Sequence, residues 1–187
     1  MPFLQQRGNF RSLIAFQKAE CIYDITFHFA HRFLQKGDRT IDQMIQAARS
    51  GKQNIAEGCS ASTTSRETEI KLLNVAKASF QELLLDFEDY LRVRNLRLWP
   101  TDDQKSRQLR KVCTSHNDSS FYRDRLPDRS DEVIANLAIT LIHQNDVMLR
   151  KLINAAEDSF IKEGGAKEAM YKARSQWRDK KITFISR

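Results

Sequence analysis

Four histidines, twenty-four carboxylates and three cysteines are the side chains of this 187-residue chain with most scope for chemistry. A di-iron helical bundle needs a Glu-x-x-His on each of two helices, because that spacing puts both ligands on one face. The residues three before His28, His31 and His143 are Ile25, His28 and Thr140, so the motif is absent. Glu20, Asp24 and His28 do recur every four residues on one helical face. Three ligands from one helix rarely converge on an ion, and a solvated charged face accounts for the same spacing. Asn54 and Glu57 could position a water for hydrolysis, yet no nucleophile, histidine or cation adjoins them. Phosphate-loop, dinucleotide-fold and Ser-His-Asp patterns are missing, and Gly164-Gly165 reads as a helix stop. Cys21, Cys59 and Cys113 lie far apart without a C-x-x-C pair, which points to free thiols and away from a disulfide framework or zinc knuckle. The expectation is a protein with no catalytic residues, no metal, no cofactor and no small-molecule substrate.

Charge is the stronger functional signal. The formal net charge is +7, and it is unevenly spread. Lys and Arg against Asp and Glu number 11 and 11 over residues 1–91, 10 and 5 over 92–129, 3 and 6 over 130–163, and 7 and 2 over 164–187. Base is therefore concentrated in a middle connection and a C-terminal segment. Such clustering suits a polyanionic partner, and it also suits a merely soluble surface. Arg107, Arg110 and Lys111 in the connection are candidate phosphate contacts, as are Lys172, Arg174, Arg178, Lys180 and Lys181 in the C-terminal segment. Without an aromatic stacking platform, such residues favour the nucleic-acid backbone over its sequence.

The elements that must carry these residues are helical. Six glycines and three prolines are few, which suits helix interiors. Apolar residues at three- and four-residue spacing predict a first helix over about 13–36, with Leu13, Phe16, Ala19, Ile22, Tyr23, Thr26, Phe29, Phe33 and Leu34 inward. A second helix from about Thr40 turns Met44, Ala48, Gly51 and Ile55 inward and ends at Gly58, read as the left-handed residue after a helix end. Thr64-Ser65-Arg66-Glu67 reads as a capping box opening the third helix, whose stripe includes Leu73, Ala76, Phe80, Leu84 and Phe87 and which ends at Trp99-Pro100-Thr101. Residues 96–129 form a long connection of the functional or mobile kind, with a short basic helix over 103–113 and a polar loop over 114–120. The fourth helix spans about 130–162, with Leu141, Leu149 and Phe160 among its inward residues. Ile25, Phe27, Leu72 and Leu85 fall off the stripes and need cover from another subunit if they form a patch. After Gly164-Gly165, residues 167–178 form a short helix with Met170, Ala173 and Trp177 on one side. Short loops join the first three helices, so the fold expected is an all-α, antiparallel up-down-up-down four-helix bundle over 1–163, with a basic helical suffix over 164–187.

The hairpin from Arg49 to Glu82 carries a resemblance. Ser50, Asn54, Ile55, Ala56, Glu57 and Gly58 on one helix, and Ala76, Ser79 and Glu82 on the next, resemble the signature of the bacterial four-helix-bundle family of proteins encoded by 23S rRNA intervening sequences. That family includes accessory proteins of diversity-generating retroelements. The resemblance implies structural roles for these nine residues, a homo-oligomer with a pentameric ring as the family pattern, and a basic surface serving RNA or a reverse transcriptase. The tail resembles a suffix that follows the bundle in part of the family. A protein-interaction module, whose tail docks on its own bundle or on a neighbouring subunit, is the alternative, and interfacial membrane binding through the tail is a third. No apolar run reaches signal-peptide or membrane-spanning length, so a cytoplasmic protein is expected.

Overall fold

The structure, a computed structural model, describes residues 9–185; the side chains of 163, 166, 167, 169 and 179–185 lie outside what it describes. It is all-helical, with no strand among the described residues. A short 3-10 turn, Phe10–Ser12, leads into α1 (Ile14–Phe33), α2 (Arg39–Ala61) and α3 (Arg66–Val93). Then come α4 (Gln104–Ser115), α5 (Ser119–Arg123), a second 3-10 turn (Leu126–Asp128), α6 (Asp131–Glu163) and α7 (Ala166–Ile185). The four long helices α1, α2, α3 and α6 form a bundle in which each packs on the next and α6 returns to α1.

Neighbouring helices meet end to opposite end. Gly51 of α2 lies against Phe80 of α3, whereas Gly58, a turn and more later, lies against Leu73, earlier in α3. Tyr90 near the end of α3 donates to Asp131 Oδ2 at the start of α6, at 2.9 Å. Leu13, Ile55, Leu73 and Leu152 border one narrow cleft at the other end. Phe16, Phe80, Leu84, Leu141 and Leu149 are buried in a common core, and Ile45 packs half-buried against it.

Helix ends depart from the sequence expectation in ways that capping explains. α1 stops at Phe33, and Gly37, with φ +93°, makes the turn to Asp38, which caps α2 by accepting from Thr40 N. Gly58 is helical and does not terminate α2, which continues to Ala61. Three hydroxyls cap the helix in its place, as Ser62, Thr63 and Thr64 donate to the carbonyls of Cys59, Ser60 and Ala61. The last carbonyls thus have partners without a left-handed glycine. The cap of α3 is Ser65, which accepts from Thr68 N and Thr68 Oγ1, so the cap lies one residue after the Thr64 expected and the Thr64–Glu67 capping box does not form. α3 ends at Val93, ahead of Trp99-Pro100, because Asn95 adopts φ +55° and lets Leu96 N return to Leu91 O at 2.9 Å.

The connection from 96 to 129 is folded onto the bundle. Asn136 on α6 accepts from Trp99 N and donates to Arg97 O, and Glu132 accepts from Trp99 Nε1 at 2.8 Å. Gln144 on α6 donates to Arg110 O and Thr114 Oγ1, which holds α4 in place. The stretch expected to be polar loop, 114–120, is helical at both ends, closing α4 and opening α5, whose cap is Asp118 and which buries Tyr122 against α1. Because α2, α5 and α6 all pack on α1, its buried arc is wider than a single stripe. Ile25, expected off the stripe, is consequently buried. Phe160 corrects the opposite way and is exposed, since α6 outlasts its neighbours: with Leu73 and Leu152 at one level, Phe160 lies past Arg66, the first residue of α3.

Candidate functional site

Seven of the nine hairpin residues, all but Glu57 and Glu82, pack or hydrogen-bond within the α2–α3 hairpin. Ser50 and Ser79 share a hydrogen bond of 2.9 Å between α2 and α3, and Asn54 donates to Ser50 O and Oγ at 2.9 and 3.2 Å. Ile55 and Ala76 are fully buried, Ala56 packs against the core, and Gly58 is buried facing Glu69 O and Leu73, where a Cβ would stand 3.4 Å from each. Glu57 and Glu82 are exposed on different helices. Asn54 Nδ2 is thus engaged by its own helix and by the serine pair. Burial, reinforced by the charges of Glu82 and Asp89, raises the Asp86 carboxyl above its usual range.

Two basic hollows lie on the added elements. Arg107, Arg110 and Lys111 border one of about 510 Å³ on α4, together with Thr114 and Ser115. Arg110 is half engaged there, donating to Ser106 Oγ and to Thr101 O, so it steadies the start of α4 as well as facing the hollow. Arg174 and Arg178 flank a second hollow of about 380 Å³ on α7, with Ala173 and Trp177. Trp177 is 62% exposed and Met170 56% exposed, so the described face of α7 is not buried against its own bundle, contrary to that form of docking. Lys172 is exposed, while the side chains of Lys180 and Lys181 lie outside the described residues, as does that of Phe184. The two hollows share no lining residue.

A further cavity was not anticipated. It is a groove of about 680 Å³ along the outer face of α1, closed on one side by Arg123 and Leu126. Tyr23, Phe27 and His31 form one ridge at four-residue spacing, and Asp24, His28 and Arg32 form the next. The Phe27 and His31 rings lie 4.2 Å apart between centroids, and Tyr23 follows at 6.4 Å from Phe27. Arg32 donates to Pro127 O at 2.6 Å, and Arg123 stands 3.8 Å from Asp24. His28 Nε2 is buried with no hydrogen-bond partner, and burial, aided by Arg32, pulls the imidazole below its ordinary pKa. Both ridges are legible in the sequence; the opposite wall is not, because Arg123 and Leu126 reach α1 only when α5 docks.

No grouping of three or more His, Cys, Asp or Glu suited to a metal ion occurs among the described residues. No described helix is long and apolar enough to cross a membrane. Comparison of the chain with protein-family models, with curated proteins and with solved structures yields no match.

Proposed function

We propose that this protein is a non-enzymatic, oligomeric scaffold or accessory protein of the cytoplasm that engages nucleic acid, or an enzyme acting on nucleic acid, through its basic added elements. The observation that carries this reading is the segregation of charge: the first three helices are near neutral, while the segments holding α4 and α7 hold the surplus of Lys and Arg. Arg107 and Lys111 are exposed on one, and Lys172, Arg174 and Arg178 on the other. Exposed guanidinium and ammonium groups of this kind neutralise phosphates and release counterions, so binding is weak in sequence preference and strong in salt dependence. The resemblance of the Arg49–Glu82 hairpin to the intervening-sequence family supports a ring of bundles, with a pentamer as the specific form. Titration of mixed RNA and of duplex DNA at several salt concentrations tests the reading. A linear fall of log affinity with log salt supports it, and absence of binding at low salt removes it.

A second reading is favoured by one observation. Met170, Tyr171 and Trp177 are exposed on α7, more apolar area than a solitary surface helix needs. In this reading α7 docks on a neighbouring subunit and the basic residues form the rim of a protein interface. Light scattering on full-length and 1–163 chains separates the two: loss of assembly without loss of RNA binding favours docking.

A further inference from the structure

The α1 groove combines three kinds of recognition in one concave surface. Phe27 is 47% exposed beside the His31 ring, an apolar platform with a free edge toward solvent. Arg123 and Arg32 place two guanidiniums at its margin: Arg123 makes a long ion pair of 3.8 Å, and Arg32 lies over the Phe33 ring and commits one nitrogen to Pro127 O, which leaves its other N–H groups for a ligand. Asp24 and the unpartnered His28 Nε2 supply an acceptor and a further polar atom in the same groove. Of the described buried polar atoms without a partner, His28 Nε2 is the one whose residue borders this groove, where a ligand or water can complete it. The volume, about 680 Å³, lies within the range of small-ligand sites.

We propose that this groove binds a nucleotide unit, with the base stacked on Phe27, the phosphate held by Arg123 and Arg32, and the ribose hydroxyls donating to Asp24. Each chemical part of the ligand answers a separate feature. A simple phosphate leaves the aromatic ridge idle, and an apolar ligand leaves two arginines and an aspartate facing it without partners. Aromatic side chains stack bases irrespective of sequence, while guanidinium forks suit phosphate oxygens. The same unit can come from a free nucleotide or from one residue of a single strand. The inference does not depend on the basic hollows of α4 and α7, which share no residue with the groove.

Adenosine monophosphate titrated into the full chain by calorimetry and by NMR provides the test, with adenosine and inorganic phosphate as the two halves and a 5′-phosphorylated single-stranded decamer as the strand. The expected result is saturable binding of the monophosphate, weakened on the order of tenfold by Phe27→Ala, the scale of one lost stacking contact. Arg123→Gln should weaken the monophosphate and leave adenosine unchanged. Both side chains are more than a third exposed, and unchanged melting of each variant confirms that the bundle persists. Tighter binding of the decamer than of the monophosphate, still lost with Phe27→Ala, identifies the strand as source; equal or weaker binding identifies the free nucleotide. Absence of saturable binding by both ligands overturns the proposal, as does binding indifferent to both substitutions. Replacing Arg107, Lys111, Arg174 and Arg178 by Ala should abolish the salt-dependent RNA affinity and leave monophosphate binding intact, so the two readings fail separately.

Discussion

Phe80 of α3 lays its ring on the backbone of Gly51 of α2: a Cβ built at position 51 would stand 2.5 Å from Phe80 Cζ. The glycine therefore sets the separation of the two helices, and the serine pair one residue earlier on each helix, Ser50 and Ser79, closes a hydrogen bond at that separation. Gly51→Ala should lower stability by about 1–3 kcal/mol, the usual range for forcing added carbon into a packed site. Phe80→Leu in the Gly51→Ala background should recover part of that loss by vacating the ring's space. Urea unfolding of the two single variants and the double variant measures the coupling, and strict additivity would refute the contact as its cause.

Leu84→Ala should cost about 2–5 kcal/mol, because the side chain is 7% exposed within the common core and its removal leaves a cavity. Thermal and urea unfolding check this. A loss below the lower bound would mean that α3 shifts to fill the space.

Alkaline pH should destabilise the protein through the polar cluster beneath α4 and α5. Lys18 is 1% exposed, and its ammonium donates to Cys113 O. Burial pushes the Cys21 thiol up to about 12 and the Cys113 thiol up to about 11 from 9.0, and raises the Tyr122 hydroxyl as well. Above pH 9 the unfolded chain releases thiol protons that the folded chain retains, so this stability is present below 9.0 and is lost as pH rises toward 11 and 12. Lys18 acts in the opposite sense: burial lowers its pKa from 10.5, so rising pH through that window favours the fold. Three groups, two thiols and a phenol, oppose one amine, and the expected sign is theirs. The melting temperature should therefore fall between pH 9 and 11, with a shallower fall in Cys113→Ala; a rise across that window would contradict the assignment.

Self-association should run through the outward face of α3 or through α7. Val75, Leu85 and Val93 are exposed and share one side of α3 at helical spacing. Leu85→Lys with Val93→Lys should lower the mass in solution while far-ultraviolet circular dichroism stays unchanged, if that face is the interface. A wild-type chain that is monomeric by light scattering at micromolar concentration would end the ring as a proposal, and a dimer would end only the pentamer.

Replacing Arg174 and Arg178 by Ala should flatten the salt dependence of duplex DNA binding, since each neutralised phosphate contributes about −0.9 to the slope of log affinity on log salt. Both residues are exposed on α7, so the bundle should melt unchanged. Indifference to this change and to Arg107→Ala with Lys111→Ala would transfer support to the protein-interaction reading.

The helical class and the identity of the core stripes were legible in the sequence because burial on a helix obeys a fixed period: Phe16, Ile22, Phe29, Phe80, Phe87 and Leu141 are buried at the spacing that names them. Asp38 and Ser130 cap their helices from positions where a short polar side chain precedes an apolar period. What escaped was set by contacts between distant segments. Gly58 carries a turn residue's identity, yet hydroxyls four to six residues later cap α2 and leave the glycine inside the helix, facing α3. Ile25 became core because α2, α5 and α6, distant in sequence, all pack on α1 and widen its buried arc. The groove beside Phe27 exists for the same reason. One helix can display a ridge of rings and a ridge of charges, but a concave site needs a second wall, and Arg123 and Leu126 come from a connection whose docking depends on Asn136, Glu132 and Gln144 far along the chain. Local spacing therefore determined the helices and their buried faces, while long-range hydrogen bonding and packing decided where α4 and α5 lie and what surface they enclose.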